Sequence, residues 1–265
     1  MEPLLEIKDL HFAYGARKVL NGISLSIPRG KVIGILGTSG SGKSTLLRLI
    51  GGQLRPSQGS VRFMGEDVHA QDLAGLYRLR RSMGLMFQAG GLFSDLSVAE
   101  NVAFALREHT ALNGELIGLL ARLKLEAVGL RGAAELMPGE LSGGMARRVA
   151  LARAIAMDPP LAMYDEPFAG LDPISLNAVA NLIRRLNDAL GTTSIVVTYD
   201  VTESLKVADF IYLLADGRIV AQGTPDDLSK SADPYAMQFI HAEPEGPVPF
   251  HLAGASLSAD LNLQP

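Results

Sequence analysis

A glycine-rich stretch near the amino terminus constrains the fold of this chain more than any other feature. Gly37-Thr-Ser-Gly-Ser-Gly-Lys43-Ser44 lies between the apolar run Lys31–Leu36 and the apolar-patterned segment Leu46–Ile50. This order predicts a buried strand, a tight loop and then a helix. Flexible glycines let successive backbone N–H groups point at an anion, and the positive end of the helix dipole adds to the attraction. The segment therefore predicts a phosphate-binding loop, with a glycine-rich turn that binds nothing as the alternative.

The rest of the chain alternates between strand and helix patterns. Strands are predicted at Leu5–Tyr14, Ser24–Ile27, Lys31–Leu36, Gly59–Phe63, Leu161–Tyr164, Ser194–Thr198, Phe210–Ala215 and Arg218–Ala221. Helical spacing dominates from about Gln88 to Pro159, and another helix is predicted near Ser175–Leu190. This alternation predicts an α/β fold whose mainly parallel sheet is covered on both faces. Near the amino terminus we expect a small antiparallel sheet, and Asp216-Gly217 predicts a hairpin turn.

Composition excludes several classes of protein. The formal net charge of −4 argues against a nucleic-acid partner, and the local cluster Arg78, Arg80 and Arg81 is either a solvated face or a phosphate site. The chain has no cysteine, which rules out disulfides and thiolate metal sites. No secretory signal is visible, and no apolar run approaches the ~20 residues that span a bilayer. We expect a protein that is soluble on its own, with any membrane role arising through a partner.

Two acids follow a predicted strand far along the chain. The run Leu161-Ala-Met-Tyr precedes Asp165 and Glu166, so both carboxyls are expected at the carboxyl end of a buried strand, where open α/β sheets bind ligands. Asp165 is predicted to hold Mg²⁺, directly or through water, together with the Ser44 hydroxyl. Glu166 is predicted to polarise the attacking water as a general base. The alternative is that these acids, which stand before Pro167, cap the next helix.

A second anion-binding pattern occurs at Leu141-Ser-Gly-Gly-Met145, which runs directly into a strong helix former, Ala146–Ile155. A hydroxyl, backbone N–H groups and a helix dipole meet there. One chain cannot usefully hold one γ-phosphate with two such sites so far apart in sequence. We therefore predict a two-fold dimer in which this signature segment closes on the nucleotide held by the other subunit.

The ordered set of motifs resembles the ABC-type ATPases over about residues 4–240. It comprises Tyr14, Gly37–Thr45, Gln88, Leu141–Met145, Leu161–Glu166 and Gly170-Leu-Asp-Pro173. The resemblance implies a P-loop NTPase (RecA-like) core with a small antiparallel β subdomain and an inserted α-helical subdomain at about 89–159. The ATPase domain is expected to span 1–242, followed by a tail, 243–265, that contacts the dimer partner or is disordered. The implied ligands are ATP and Mg²⁺.

The same resemblance implies a role for individual residues. The nucleotide contacts would come from Tyr14, Gly37, Thr38, Ser39, Gly40, Ser41, Gly42, Lys43, Ser44, Thr45, Ser142, Gly143, Gly144 and Asp172. Tyr14 would stack on the adenine, with a core aromatic at a strand end as the alternative. Asp172 would communicate across the dimer. Gln88 would sense the attacking water and join Ser44 and Asp165 around the metal.

One position departs from the family pattern. Where such ATPases carry a histidine that contacts the γ-phosphate, Ile195-Val-Val-Thr-Tyr199 places a tyrosine. Tyrosine donates one hydrogen bond but stays neutral near neutral pH, whereas histidine can become a cation. Tyr199 is therefore counted with Glu166 and Gln88 as a catalytic position at which hydrolysis is expected to be weakened.

Further stretches resemble the ATPases of Gram-negative phospholipid-transport complexes that work with MCE-type lipid-binding proteins. They are Leu-Ser-Gly-Gly-Met-Ala-Arg-Arg148, Leu106–Thr110, Leu125–Ala134 and Gly246–Phe250. The resemblance implies a homodimer at the cytoplasmic face of the inner membrane. Its implied partners are a membrane permease, an MCE-type subunit and a small STAS-type protein, with phospholipid as the transported substrate and no nucleic acid.

Three functional hypotheses remain open at this point. The first is a transport-coupled ATPase, and the second is an ATP-gated binding switch with marginal hydrolysis. The third, a soluble ABC ATPase of the ribosome or DNA, lacks the second nucleotide domain or long coiled coil that such proteins usually carry. The apolar segment Met86–Phe93 is predicted to form a groove for a short permease helix, with core packing of Leu92 and Phe93 as the alternative.

Overall fold

The computed structural model describes residues 2–248 and contains two β-sheets flanked by helices. The strands are β1 (Leu5–Tyr14), β2 (Arg17–Ile27), β3 (Val32–Leu36), β4 (Gln58–Phe63), β5 (Glu66–Asp67), β6 (Met83–Met86), β7 (Leu161–Asp165), β8 (Thr193–Thr198), β9 (Phe210–Ala215) and β10 (Arg218–Gly223). The helices are α1 (Lys43–Ile50), α2 (Leu73–Arg81), α3 (Val98–His109), α4 (Gly114–Ala127), α5 (Gly143–Ala154), α6 (Pro173–Leu190), α7 (Val201–Val207), α8 (Pro225–Ser229) and α9 (Pro234–His241).

The larger sheet has the strand order β10-β9-β3-β8-β7-β6, with every pair parallel except β10 against β9. Every residue of β3 and β8 is buried, as expected for parallel strands that are covered on both faces. The α/β fold predicted from the sequence is therefore confirmed. Because β3 lies in the middle of the sheet, the glycine-rich loop begins at the carboxyl end of a central strand.

The smaller sheet is antiparallel, in the order β2-β1-β4-β5. Its second strand begins at Arg17, well before the predicted start at Ser24. The first two residues of β2, Arg17 and Lys18, are charged and exposed, and Gly22 is also exposed, so this part of the sequence shows little strand pattern. Pairing with β1, for example Phe12 against Leu20, extends the strand nevertheless.

Helices α3, α4 and α5 lie between β6 and β7 in the chain and pack through a shared core. That core includes Val102, Ile117, Leu125 and Val149, all of them buried. The entry into α3 is held by Asn101, which is fully buried and caps three carbonyls with its amide, those of Phe93 (3.0 Å), Leu96 (2.9 Å) and Ser97 (3.0 Å). The Asn101 carbonyl also accepts from the Phe93 N–H at 2.8 Å. These bonds fix the connection between the Gln88 loop and the helices.

The described part of the tail folds back on its own chain. The Gln238 side chain of α9 donates to the Val248 carbonyl (2.9 Å) and accepts from the Val248 N–H (2.8 Å). Residues 249–265 of the predicted tail lie outside the described residues.

The arginine cluster on α2 makes contacts within the chain. Arg78 forms an exposed ion pair with Glu66, and Arg80 donates to the carbonyls of Gly51 (2.9 Å) and Gly52 (3.0 Å). These contacts favour the interpretation as a solvated structural face over a phosphate site.

Candidate functional site

The loop between β3 and α1 needs glycine for steric reasons. A Cβ on Gly37 would lie 2.2 Å from the Leu214 carbonyl oxygen, closer than any side chain tolerates. Gly42, which precedes α1, has a φ of 106°, and a Cβ there would lie 2.7 Å from Leu20. The sequence thus folds tightly against β9 and β2 and then enters the helix. This is the strand, loop and helix order expected of a phosphate-binding loop.

Lys43, the first residue of α1, bends back into this loop. Its ammonium donates to the carbonyls of Gly37 (2.8 Å) and Thr38 (3.0 Å), and it lies 3.6 Å from Glu166 Oε1. Both charged side chains are nearly inaccessible to water, with 6% and 7% of their surfaces exposed. Burial lowers the pKa of Lys43, and the charge of Glu166 opposes that shift. The loop lysine and the proposed general base therefore lie together in the described structure.

Ser44 and Asp165 are brought together across the sheet. The Ser44 hydroxyl donates to Asp165 Oδ1 at 2.9 Å, although Ser44 lies in α1, which follows β3, and Asp165 is the last residue of β7. Burial raises the pKa of Asp165, and the hydrogen bond from Ser44 and the charge of Lys43 oppose that rise. A hydroxyl and a carboxylate at this spacing are ligands that suit Mg²⁺, which takes few protein oxygens and completes its shell with phosphates and water. The two side chains fit such an ion.

Glu166 stands in a sterically demanding conformation at the end of β7. Its φ is 48°, in the left-handed region, and its N–H donates to the Val197 carbonyl at 2.8 Å. The carboxylate accepts from the Tyr199 backbone N–H at 3.3 Å. Burial raises the pKa of Glu166, while a hydrogen bond from Thr198 opposes the rise. Strain and hydrogen bonds thus aim this carboxylate towards the loop rather than along the chain.

The alternative that these acids cap the next helix is wrong. Helix α6 is capped by Asp172, which accepts from the N–H groups of Ile174 and Ser175, each at 3.0 Å. Asp165 and Glu166 are engaged instead with the glycine-rich loop.

A single surface pocket gathers many of the predicted residues. Its lining consists of Tyr14, Arg17, Val19, Ser39, Gly40, Gly42, Lys43, Ser44, Thr45, Gln88, Glu166 and Tyr199. Tyr14 is 46% exposed and Tyr199 is 51% exposed, so neither ring belongs to the core. The sequence interpretation missed Arg17 and Val19, whose signal was their position at the start of β2, directly after the turn that follows Tyr14.

The signature segment lies elsewhere on the same chain. Ser142 is the N-cap of α5 and accepts from the Met145 N–H at 3.2 Å. A Cβ on Gly144 would lie 2.8 Å from Ser175 Oγ, which places the signature beside the start of α6 and Asp172. Among the described residues, Ser142, Gly143, Gly144 and Asp172 contribute nothing to the lining of the pocket that holds Lys43. The two anion-binding patterns therefore form separate surfaces of one chain.

The fold and this site define a nucleotide-binding cassette. The family model described as ABC transporter matches residues 20–169, and the chain belongs to this family. It is an ABC-type ATPase that binds ATP. Among the described residues, no helix is both long enough and apolar enough to cross a bilayer.

Two relatives are similar over nearly their whole length. The chain is 53% identical over 247 residues to the intermembrane phospholipid transport system ATP-binding protein MlaF of Haemophilus influenzae, covering 93% of this chain and 94% of the relative. It is 51% identical over 258 residues to the protein of the same name in Escherichia coli K12, covering 97% and 96%.

Solved structures agree with this placement. The dimeric ATP-binding cassette MJ0796, in a post-hydrolysis state with ADP and Pi, superposes with a TM-score of 0.77 at 31% identity, covering 83% of this chain and 98% of that one. CbiO1 of Clostridium perfringens, part of the ABC transporter complex cbiONQ, gives a TM-score of 0.81 at 30% identity, covering 90% and 95%.

Proposed function

We propose that this chain is the ATP-hydrolysing subunit of a transporter that moves phospholipids between the inner and outer membranes and so maintains lipid asymmetry. The observation that carries the proposal is the 53% identity to an MlaF protein over 93% of this chain. The pocket that joins Lys43, Ser44, Gln88 and Glu166 supports the same proposal, because these are the groups that phosphoryl transfer requires.

The roles within the pocket follow from its chemistry. Tyr14 stacks on the adenine, and the loop from Gly37 to Thr45 surrounds the phosphates. Ser44, Gln88 and Asp165 would hold Mg²⁺, which when bound would neutralise charge on the phosphate oxygens. Glu166 accepts a proton from the attacking water. For that step its contact with Lys43 has to loosen, since the lysine is needed by the phosphates.

The remaining predicted contacts act across a homodimer. Ser142, Gly143 and Gly144 lie outside the pocket of their own chain but form an exposed helix N-terminus. In the dimer this surface closes on the partner's γ-phosphate, with Asp172 beside it. The dimeric state of MJ0796 supports this arrangement by analogy.

The proposal includes a division of the chain and a set of partners. Residues 1–242 form the ATPase domain, with helices at about 89–159 as a subdomain, and 243–265 form a tail that contacts the neighbouring subunit. The partners are a membrane permease, an MCE-type lipid-binding subunit and a small STAS-type protein. The assembly lies at the cytoplasmic face of the inner membrane and binds no nucleic acid.

A groove next to the Gln88 loop is the proposed contact with the permease. Phe93 and Phe104, with ring centroids 4.7 Å apart, line it together with Tyr77. All three rings are partly exposed, whereas Leu92 packs against the core, so the two interpretations of this segment apply to different residues. A short apolar helix of the permease would pack on the exposed faces of these rings.

Purification from membranes tests the transport proposal. The tagged chain should retain a permease, an MCE-type subunit and phospholipid, and the purified complex should transfer labelled phospholipid between vesicles with ATP. Glu166→Gln should keep the same partners but stop transfer. The proposal would be refuted if the co-purified partners bound no phospholipid, or if the transfer of phospholipid did not depend on ATP.

The second candidate is a binding switch that ATP closes and that hydrolyses slowly. It is favoured by Tyr199, a neutral side chain that lines the pocket beside Glu166. Single-turnover phosphate release separates the candidates: release much slower than lipid transfer would favour the switch, and release that keeps pace with transfer would favour the motor.

A further inference from the structure

Arg147 of α5 contacts two loops that the catalytic residues occupy. Its Nη1 donates to the Gln88 carbonyl, and its Nη2 donates to the Ala169 carbonyl at 3.3 Å. Gln88 belongs to the loop that follows β6, while Ala169 lies between Glu166 and Asp172 in the segment that follows β7. One side chain therefore joins the signature helix, the Gln88 loop and the segment that carries the acids.

The environment of this guanidinium is unusual for a charged group. It is partly buried, and none of the ion pairs among residues 2–248 includes it. Burial lowers the pKa of Arg147, and the charge of Glu166 opposes that shift. A cation removed from water without a bonded acid needs other acceptors, and the planar fork of arginine suits two carbonyls at a fixed separation. The side chain is thus used for geometry rather than for an ion pair.

A second arginine of the same helix holds the residues of the loop that come shortly after Gln88. Arg153 donates to the carbonyls of Gly91 (2.6 Å) and Gly90 (3.4 Å), and its guanidinium lies 5.4 Å from the centroid of the Phe93 ring. Both glycines have left-handed backbone angles, with φ of 74° at Gly90 and 62° at Gly91. The loop between β6 and α3 lacks regular structure, and the bonds from Arg147 and Arg153 fasten its first half to α5.

We propose that Arg147 is a positioning residue for ATP hydrolysis. By holding the backbone of Gln88 and of Ala169, it keeps the Gln88 side chain in the pocket and in register with Glu166. Arg153 anchors the same loop where it faces the proposed permease groove. The inference rests on the proposed role of Gln88, and it assigns the orientation of that side chain to the helix that begins with the signature.

The test is phosphate release from the full chain with Mg²⁺ and ATP. Arg147→Gln removes the charge and the fork, and we expect kcat to fall about tenfold, a change of about 1.4 kcal/mol in the barrier. The KM for ATP should change less than about twofold, because Arg147 does not line the nucleotide pocket. Arg147→Lys keeps the charge but reaches one carbonyl at a time, so it should recover part of the lost rate and stay about threefold below the unsubstituted chain.

Arg148→Gln is the matched control. Arg148 is the next residue of the same helix, and its guanidinium donates to the Val128 carbonyl (3.2 Å), away from the pocket. It should lower the midpoint of thermal unfolding while leaving kcat nearly unchanged. Equal losses of kcat in Arg147→Gln and Arg148→Gln would mean a general structural role and would overturn the inference.

Gln88→Ala tests the proposed role of Gln88 separately from the positioning role of Arg147. If Gln88→Ala leaves kcat unchanged, the proposed role of Gln88 fails and the positioning role fails with it. If Gln88→Ala lowers kcat and Arg147→Gln does not, only the positioning role is overturned. Should Arg147→Gln fail to fold, Arg147→Lys decides: a lower kcat at constant KM supports the inference, and an unchanged kcat refutes it.

Discussion

Tyr199→His is the substitution that most directly probes the departure from the family pattern. The Tyr199 side chain lines the nucleotide pocket, yet the contact that holds Glu166 comes from the backbone N–H at 3.3 Å. Because histidine has the same backbone N–H, the substitution exchanges the side chain and leaves the carboxylate bonded. The change therefore isolates one side-chain donor at the position proposed to face the γ-phosphate.

The size of the effect follows from the exposure of this position. A hydrogen bond to a charged group contributes about 1.5–3 kcal/mol. Tyr199 is 51% exposed, so water screens the site and the lower end of that range applies. Since about 1.4 kcal/mol corresponds to a tenfold change in rate, we expect kcat to rise about tenfold if the imidazole contacts the transferring phosphoryl group.

The assay is steady-state phosphate release with Mg²⁺ and ATP near neutral pH. Tyr199→Phe removes only the hydroxyl and should not exceed the unsubstituted rate. The double variant Tyr199→His with Glu166→Gln should be inactive, because it lacks the proposed general base. No gain in rate for Tyr199→His would refute the reasoning and show that the tyrosine does not limit hydrolysis.

Three further substitutions test other parts of the structure. Gly37→Ala places a Cβ 2.2 Å from the Leu214 carbonyl oxygen, so we expect a loss of about 1–3 kcal/mol in the free energy of unfolding. Gly114→Ala is the control, because a Cβ there has nothing within 4 Å, and equal denaturant midpoints for the two variants would contradict the expectation. Ser44→Ala removes the hydroxyl bonded to Asp165 and should raise the Mg²⁺ concentration needed for phosphate release, and an unchanged Mg²⁺ titration would exclude Ser44 as a ligand. The control Ser57→Ala, which loses a hydroxyl bond to the His11 carbonyl, should leave the Mg²⁺ titration unchanged. Asn101→Ala removes a buried side-chain amide and leaves backbone groups of Phe93, Leu96 and Ser97 without their partner, so it should lower the free energy of unfolding in urea by about 2–4 kcal/mol. A loss below about 1 kcal/mol would show that water replaces the amide.

Much of the fold could be predicted from short windows of sequence. The buried strands β3, β7 and β8 appear as apolar runs, and the Asp216-Gly217 turn marks the hairpin of β9 and β10. These patterns can be recognised because burial on both faces and tight turns restrict the residue types at each position. The edge strand β6 and helix α2 were not predicted, since four residues are too few for a period and α2 exposes most of its surface.

The chemical groups of the nucleotide site could likewise be predicted from local motifs, from the glycine-rich loop to the paired acids. What the sequence determined by itself is the type of each group: hydroxyl, ammonium, carboxylate and backbone N–H at the ends of strands and helices. Only the tertiary structure decided which groups meet. Strand β8 separates β3 from β7, yet Ser44 bonds to Asp165 and Lys43 approaches Glu166.

The tertiary structure also decided that Arg147 donates to the carbonyls of Gln88 and Ala169. It likewise decided that Asp172, and not the paired acids, caps α6. Each of these contacts depends on the order of strands and the packing of helices. That order arises from long-range pairing and burial, which no local window of sequence contains.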